Sequence, residues 1–321
     1  MPNNLLGIEH LSETEIRHLI SRSDDYFTEL EQQNGSSGSQ PETPTAQAES
    51  LSYRCRDLLS KRTVANLFFE NSTRTKTSFE LAEKRMGAAC VSLSMQTSSV
   101  TKGESLLDTV KVITAMKVDA IVVRHQSSGV PQLLRKHLSD EIRIINAGDG
   151  AHEHPTQALL DAATLIEAIG NLNGKHIAII GDILHSRVAR SNIILLKKLG
   201  AVVTLVAPDT LMPKHAEKVF GVEVRRDVGN LLSQVDAVIM LRIQLERMNR
   251  AFFPTLEEFR LRYGLTAERL HGTSMYILHP GPINRGVEID DEAADSERSL
   301  ILRQVTRGVA VRMAVLEWIF S

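Results

Sequence analysis

The chain has few of the residues that cross-link or anchor a protein. Its 321 residues include two cysteines, Cys55 and Cys90, which are far apart and form no CxxC pair. This excludes a disulfide framework and a cysteine-rich metal site, so we expect reduced thiols. No uncharged apolar run reaches the length of a membrane span, and the first residues lack a basic region followed by an apolar one. These absences predict a cytoplasmic protein without a membrane anchor.

Net charge and aromatic content are also low. The formal net charge is −2, and 4% of the residues are aromatic. A chain without a basic surplus is not expected to bind nucleic acid, so any anion site must be built locally. With 321 residues, 42% of them hydrophobic, the chain is long enough for two domains of similar size.

Short apolar runs alternate with helical patterns from residue 63 onward. This alternation predicts an α/β protein with two doubly wound parallel-sheet domains. Residues 12–30 predict an amphipathic helix, and residues 33–50, rich in Ser, Gly, Pro and Thr, predict a mobile surface loop without chemistry of its own. The predicted strands are residues 63–69, 120–123, 142–146, 176–181, 202–207, 236–241 and 275–278. Further predicted helices include residues 76–86, 155–169, 186–199 and 300–320.

Polar side chains follow the ends of these strands repeatedly. Arg74, Arg124 and Asp182 each come at or shortly after the end of an apolar strand, and so do Arg242 and His279. In an open parallel sheet, ligands bind beyond the carboxyl ends of the strands. The pattern therefore predicts an active-site cleft between the two domains, with cations converging from both sides.

The most informative segment is NSTRT, residues 71–75, between the first strand and the following helix; its donor groups lie in STRT, residues 72–75. Unpaired backbone N–H groups and the positive dipole end at a helix N-terminus attract anions. The hydroxyl groups and the planar guanidinium of Arg74 suit a phosphate. Taken alone, the segment is equally compatible with an ordinary helix cap beside a surface arginine.

A second polar block, residues 146–157, ends at the start of a predicted helix. His154 and Gln157 lie three residues apart on one helix face, so an imidazole and an amide can contact a carbonyl and an amine together. His152, Glu153 and His154 lack the i, i+4 histidine spacing of a helical zinc motif, so we predict no metal site there.

The turn after residue 181 links a strand to a helix but carries one glycine where a dinucleotide-binding loop has three. This argues against an NAD-dependent oxidoreductase. Arg187, near the first turn of the helix, is better placed to hold a carboxylate. Arg242 and Gln244 are two residues apart beyond a strand, so both can project the same way from extended chain. Residues 97–104 form a polar loop with one lysine, a composition also typical of a plain solvated loop.

Together these blocks closely resemble the aspartate/ornithine carbamoyltransferase superfamily, over essentially the whole chain except residues 33–50. Arg242 with Gln244, and the absence of the ornithine branch's Cys-Leu-Pro signature, favour the aspartate carbamoyltransferase branch. The matching blocks are FFENSTRT (68–75), TSSVTKGES (97–105), VVRH (122–125), NAGDGAHEHPTQALLD (146–161), GDILHSRVARS (181–191), LRIQLERM (241–248) and LHPGPINRGVEI (278–289).

The resemblance implies transfer of the carbamoyl group of carbamoyl phosphate to L-aspartate, the first committed step of de novo pyrimidine biosynthesis. It implies a carbamoyl phosphate-binding domain at residues 1–153 with 304–321, and an aspartate-binding domain at residues 154–303. No metal and no cofactor is implied, because phosphate is already a good leaving group. The implied carbamoyl phosphate-binding residues are Ser72, Thr73, Arg74, Thr75, Arg124, His154, Gln157, Pro280, Gly281 and Pro282, of which Arg74, Thr75, Arg124 and His154 are catalytic. The implied aspartate-binding residues are Lys102, Arg187, Arg242 and Gln244.

The resemblance also implies a homotrimer, in which Ser98 and Lys102 of one chain reach the site of the neighbouring chain. A larger assembly with a dihydroorotase-like or regulatory chain stays open. The resemblance further implies a cis bond between Gly281 and Pro282. Two alternatives remain: a carbamoyltransferase for another amine, and a non-catalytic subunit that keeps the fold. A carbamoyltransferase for an amine such as ornithine, with one carboxylate, would not need so many cations. A non-catalytic subunit should have lost some of the matching site residues.

Overall fold

The computed structural model describes residues 3–35, 57–94, 105–243 and 255–321. The chain divides into two compact units, Met1–Leu159 with Thr306–Ser321, and Leu160–Val305. Each unit contains one parallel sheet, which confirms the predicted class of two α/β domains. The predicted cleft and the predicted domain limits stay predictions. Among the described residues, no helix is both long enough and apolar enough to cross a membrane.

The first unit has a four-stranded parallel sheet in the order β2-β1-β3-β4. The strands are β1 (Thr63–Phe68), β2 (Ala89–Ser94), β3 (Ala120–His125) and β4 (Arg143–Asp149). The helices are α1 (Glu13–Gly35), α2 (Thr73–Arg85), α3 (Leu106–Ala115) and α4 (Val130–His137), with a 3-10 turn at Asp57–Leu59. Two helices, α5 (Pro155–Ile169) and α10 (Ile301–Phe320), contain residues of both units.

The second unit has a five-stranded parallel sheet in the order β7-β6-β5-β8-β9. The strands are β5 (His176–Ile180), β6 (Val202–Val206), β7 (Glu223–Arg225), β8 (Ala237–Met240) and β9 (Tyr276–Leu278). The helices are α6 (Arg187–Lys198), α7 (Leu256–Tyr263), α8 (Ala267–Leu270) and α9 (Asp291–Ala294). Short 3-10 turns lie at Asp209–Leu211 and Leu231–Ser233, and a π-helical turn lies at Glu217–Gly221.

The central strands form the core of each unit. In the first unit Leu67 and Ile121 have no solvent-exposed surface, and in the second Ile179 and Ile239 have none. Full burial of such a side chain contributes about 1.5–3 kcal/mol relative to exposure. This is why the central strands read as continuous apolar runs, and why the sequence located them within a few residues.

The structure corrects the prediction at the sheet edges and at two helix ends. Strands β2 and β7 were missed, because both are edge strands whose described residues are exposed or half-buried and show no continuous apolar run. Helix α1 extends to Gly35, past the predicted end at residue 30, so residues 33–35 of the predicted loop are helical. Residues 36–50, where the loop was predicted, lie outside the described residues.

In both sheets the strand order reverses once. The reversal lies between β1 and β3 in the first sheet and between β5 and β8 in the second. At such a switch point the connections leave to opposite sides, which opens a crevice beyond the carboxyl ends of the two strands. Each unit therefore has one preferred place for a ligand.

A buried polar cluster joins α2 to strands β1 and β2. Glu83 has no exposed surface, and its Oε2 accepts a hydrogen bond from Nδ2 of Asn66 at 2.8 Å. Burial raises the pKa of Glu83 to about 7, although hydrogen bonds from Cys90 and Asn66 favour the charged form. Burial and the nearby Glu83 raise the pKa of the free Cys90 thiol to about 12.

We predict that Glu83→Gln stabilises the protein more at pH 8 than at pH 5. The pKa of Glu83 lies near 4.5 when unfolded and about 7 when folded, so its stabilising contribution is complete below pH 4.5 and is lost as pH rises through 7. Glutamine stays neutral, and its advantage over the wild type should grow by about 2–3 kcal/mol between pH 5 and pH 8. Urea denaturation at both pH values measures this. An equal effect at both would contradict the assignment.

Candidate active site

The STRT segment lies at the carboxyl end of β1, as predicted, but the helix begins earlier than predicted. Helix α2 starts at Thr73, with Ser72 as its N-cap residue, so Thr73, Arg74 and Thr75 form the first turn. Thr73 and Arg74 are exposed, while Thr75 is buried. Donor groups of backbone and side chains are thus gathered at one helix N-terminus, where an anion is favoured.

Arg124, the fifth residue of β3, joins this segment to the second polar block. Its Nη1 donates to Oγ1 of Thr75 at 3.4 Å and to the carbonyl of Ala147 at 3.2 Å, and lies 3.4 Å from Nε2 of His154. Its Nε lies 2.6 Å from Oε1 of Glu70, and both side chains of this ion pair are 12% exposed. The structure therefore brings Thr75, Arg124 and His154 together.

The pairing of β3 with β4 is irregular at this point. Val123 pairs with Asn146, but His125 pairs with Asp149, so β4 has one residue more than β3. A bulge of this kind bends a strand and redirects its side chains, and it is common beside functional sites. It lies directly at Arg124 and at the carbonyl of Ala147.

Asp149 fixes the turn from β4 to α5. Its buried carboxylate accepts backbone N–H groups from Gly129 at 2.6 Å and Glu153 at 3.2 Å, and the side-chain amide of Asn146 at 2.8 Å. The turn requires glycine at residue 150, where φ is +51° and a Cβ would lie 2.6 Å from a backbone nitrogen. His154 and Gln157, which follow this turn, are 4% and 9% exposed.

Glu153 has a structural role next to the site. Its oxygens accept the backbone N–H groups of Ile8 at 2.8 Å and Glu9 at 3.4 Å. Among the described residues, Glu9, His152 and Glu153 bring potential ligand atoms within 4.8 Å of one another, and His154 is not part of this group. His152, Glu153 and His154 therefore do not act as one group. The carboxylate of Glu153 accepts hydrogen bonds from the N-terminal segment.

In the second unit, Arg187 is the first residue of α6 and is 5% exposed. The preceding turn is held by Asp182, which accepts the N–H of His185 at 3.1 Å and lies 3.0 Å from its Nδ1. The turn packs so closely on the chain after β8 that a Cβ at Gly181 would lie 2.8 Å from the carbonyl oxygen of Leu241. Close approach of two strand ends therefore explains the single glycine here.

Arg242, half-buried, follows β8. Leu241, just before it, donates its N–H to the carbonyl of Ile180 at 2.8 Å, which keeps the chain beside β5. Arg187 and Arg242 thus follow the two strands at the switch point of the second sheet. Gln244, Ser98 and Lys102 lie outside the described residues.

The segment after β9 has the predicted cis bond between Gly281 and Pro282. The N–H of Gly281 donates to Nδ1 of His279 at 2.8 Å, and Nε2 of His279 lies 3.2 Å from Oε1 of Glu288. Both side chains of the His279–Glu288 pair are completely buried. The buried His279–Glu288 pair therefore fixes the backbone of segment 280–282 through the hydrogen bond from Gly281.

Sequence reasoning missed several residues that support these groups. It assigned no role to Glu70, Asp149 or Glu288, although each lies inside a block that it singled out. The available signal was an acidic residue in a segment otherwise suited to binding anions. Glu70 pairs with Arg124 on another strand, whereas Asp149 and Glu288 bond mainly within their own blocks, where the turn geometry selects the partner.

Family models match both halves of the chain. The model described as aspartate/ornithine carbamoyltransferase, carbamoyl-P binding domain, matches residues 3–167, and the model described as Asp/Orn binding domain matches residues 173–319. The aspartate carbamoyltransferase catalytic subunit of Solibacter usitatus is 48% identical over 320 residues, which is 99% of each chain. That of Rhodospirillum centenum is 50% identical over 317 residues, 98% of this chain and 93% of the relative.

Solved structures agree. Aspartate transcarbamoylase from Trypanosoma cruzi, in complex with carbamoyl aspartate and phosphate, has a TM-score of 0.82 and 28% identity, covering 99% of this chain and 95% of that one. The catalytic subunit of M. jannaschii aspartate transcarbamoylase has a TM-score of 0.80 and 31% identity, covering 99% and 97%. Since sequence and fold agree over nearly the full length, this chain belongs to the aspartate/ornithine carbamoyltransferase family.

Proposed function

We propose that this chain transfers the carbamoyl group of carbamoyl phosphate to the amine of L-aspartate, giving N-carbamoyl-L-aspartate and phosphate. The observation that carries the proposal is the contact of Arg124 with Thr75 and His154 at the N-terminus of α2. A structure of the T. cruzi relative with carbamoyl phosphate and aspartate supports this reaction. The reaction is the first committed step of de novo pyrimidine biosynthesis, carried out in the cytoplasm.

The phosphate is held by residues at the N-terminus of α2. Backbone N–H groups, the helix dipole and the guanidinium of Arg74 all favour a dianion, and fixed donors lose little entropy on binding. As the phosphate leaves, its charge grows, and the same groups stabilise the products. The residues assigned to this role are Ser72, Thr73, Arg74 and Thr75.

The carbonyl oxygen of the carbamoyl group lies, in this proposal, against Thr75, Arg124 and His154. Attack by the amine lone pair forms the new C–N bond and moves charge onto this oxygen, so preorganised donors there lower the barrier. The C–O bond to phosphate then breaks, and the phosphate takes the amine proton. Glu70 holds Nε of Arg124, which leaves Nη1 directed at Thr75 and His154.

The remaining groups orient the two substrates. Gln157 and the carbonyls of Pro280 and Gly281, with Pro282 in the same segment, contact the carbamoyl nitrogen, while cations and one amide hold the aspartate carboxylates. Residues 1–153 with 304–321 form the carbamoyl phosphate domain, and residues 154–303 form the aspartate domain. The aspartate-binding residues are Lys102, Arg187, Arg242 and Gln244.

The proposed assembly is a homotrimer in which Ser98 and Lys102 act in the site of a neighbouring chain. A closed ring of this kind buries the same heterologous contact three times. A loop that reaches across can deliver a cation to a site whose own residues are already in place.

The substrate prediction is direct. The wild-type protein should form N-carbamoyl-L-aspartate from carbamoyl phosphate and L-aspartate, and should not carbamoylate L-ornithine at a comparable rate, because its cations suit two carboxylates. A bisubstrate analogue that carries a phosphonate and an aspartyl group should bind more tightly than either substrate, as calorimetry would show. Turnover with ornithine, or no binding of the analogue, would overturn the assignment.

Arg74→Ala should lower kcat about a hundredfold while the protein stays folded. Loss of one charged donor to the departing phosphate costs about 3 kcal/mol of transition-state stabilisation. Lys84→Ala is the matched control, since it removes one cation from the exposed far end of the same helix. The measurement is kcat of both variants and of the wild type, from steady-state kinetics at saturating substrate concentrations. Near wild-type kcat for Arg74→Ala would show that it does not bind the phosphate.

The shared site can be tested by mixing subunits. Arg74→Ala and Lys102→Ala chains should each be nearly inactive alone. When they are dissociated and reassembled together, some trimers contain a site with both residues intact, so part of the activity should return. The trimer is checked by analytical ultracentrifugation. Verified mixed trimers without recovery would mean that Lys102 acts within its own chain.

A further inference from the structure

Segment 280–282 can offer hydrogen-bond acceptors to a ligand and no N–H donor. Pro280 and Pro282 have no backbone N–H. Gly281 has one, and it donates to Nδ1 of His279 at 2.8 Å. The backbone carbonyls are therefore the polar groups that this segment presents.

The hydrogen bonds determine the tautomer of His279. Because Nδ1 accepts the N–H of Gly281, the ring proton is on Nε2, which lies 3.2 Å from Oε1 of Glu288. The same Oε1 accepts the N–H of Asn284 at 2.6 Å. A proton on Nδ1 would set two N–H groups against each other inside a completely buried pair, at a cost of about 1–3 kcal/mol for the unmet donor.

The pair is anchored on both sides within its unit. The N–H of His279 donates to Oε1 of Gln304 at 2.9 Å, and Nε2 of Gln304 donates to Asp161 at 2.6 Å. On the other side, Nδ2 of Asn284 donates to the carbonyl of Ile243 at 3.1 Å, directly after Arg242. These bonds hold the imidazole still, so that Gly281 meets an acceptor at a constant position.

We propose that His279 and Glu288 are positioning residues which keep segment 280–282 free of donors and so select an acyl phosphate that carries an NH2 group. The inference rests on the proposed function, in which the carbonyls of Pro280 and Gly281 accept from the carbamoyl nitrogen. If the ligand carries a methyl group in place of NH2, the carbonyls of Pro280 and Gly281 have no donor. Buried polar groups left unpaired in this way discriminate strongly against such a ligand. Without His279 Nδ1, the Gly281 N–H would be an unpaired donor, and the two carbonyls would no longer be held in one orientation.

Acetyl phosphate is the probe, because it keeps the phosphate and the carbonyl and replaces NH2 by CH3. The readout is the ratio of its inhibition constant, as a competitor of carbamoyl phosphate, to the KM of carbamoyl phosphate. His279→Leu removes the acceptor for Gly281. We expect the KM of carbamoyl phosphate to rise at least tenfold and the inhibition constant of acetyl phosphate to change less than threefold, so the ratio falls.

Two conservative variants separate positioning from general damage. His279→Asn offers an amide oxygen near the former Nδ1 position, and Glu288→Gln keeps an oxygen for His279 and Asn284. Both should retain most of the wild-type ratio. An unchanged ratio in folded His279→Leu, or a ratio in both conservative variants as low as in His279→Leu, would overturn the inference.

If His279→Leu does not fold, nitrogen-15 NMR of histidine-labelled wild-type protein decides instead. The expected result is the Nε2–H tautomer of His279, and an Nδ1–H tautomer would overturn the inference. The two proposals fail separately. A wild-type protein that forms no N-carbamoyl-L-aspartate refutes the proposed function, whereas an active wild type with an unchanged ratio in His279→Leu refutes this inference alone.

Discussion

The positions of the polar residues in both units depend on one constraint, the reversal of strand order in a parallel sheet. At the reversal, the connections after two neighbouring strands leave to opposite sides of the sheet, so a crevice opens beyond the carboxyl ends of these strands. In the first unit these strands are β1 and β3, which lead to Thr75 and carry Arg124. In the second they are β5 and β8, which lead to Arg187 and Arg242. The pairing of β1 with β3 explains why Thr75 and Arg124 come into contact.

Buried carboxylates then fix the polar segments that follow the strands. Asp149 collects two backbone N–H groups and an amide, and Glu288 collects one N–H and an imidazole. A buried carboxylate is tolerated only when hydrogen bonds replace its water, so each also demands a specific loop shape. Burial raises the pKa of a third such carboxylate, Glu83, to about 7. Buried carboxylates therefore fix the shapes of the segments that follow β4 and β9.

Much of the fold was predictable because it depends on local patterns. Central strands such as β3 and β5 are buried on both faces and appear as apolar runs, and α5 has Pro155 at its start and Gly170 after its end. Edge strands β2 and β7 were not predictable in the same way, because solvent tolerates polar residues on an edge. The start of α2 was placed too late, because serine and threonine favour caps and turns and are therefore weak signals for the first turn of a helix.

Residue chemistry and order along the chain were enough to predict two parallel-sheet domains, and they are the basis on which we propose an anion site at residues 72–75. They also indicated a carbonyl-binding role for His154 and Gln157. Only the tertiary structure paired Arg124 with Glu70, gave Asp149 three donors, and set His279 against Glu288. The physical reason is that an anion-binding helix start is a property of consecutive residues. A hydrogen-bond partner is chosen by distance in space, which strand order and register determine.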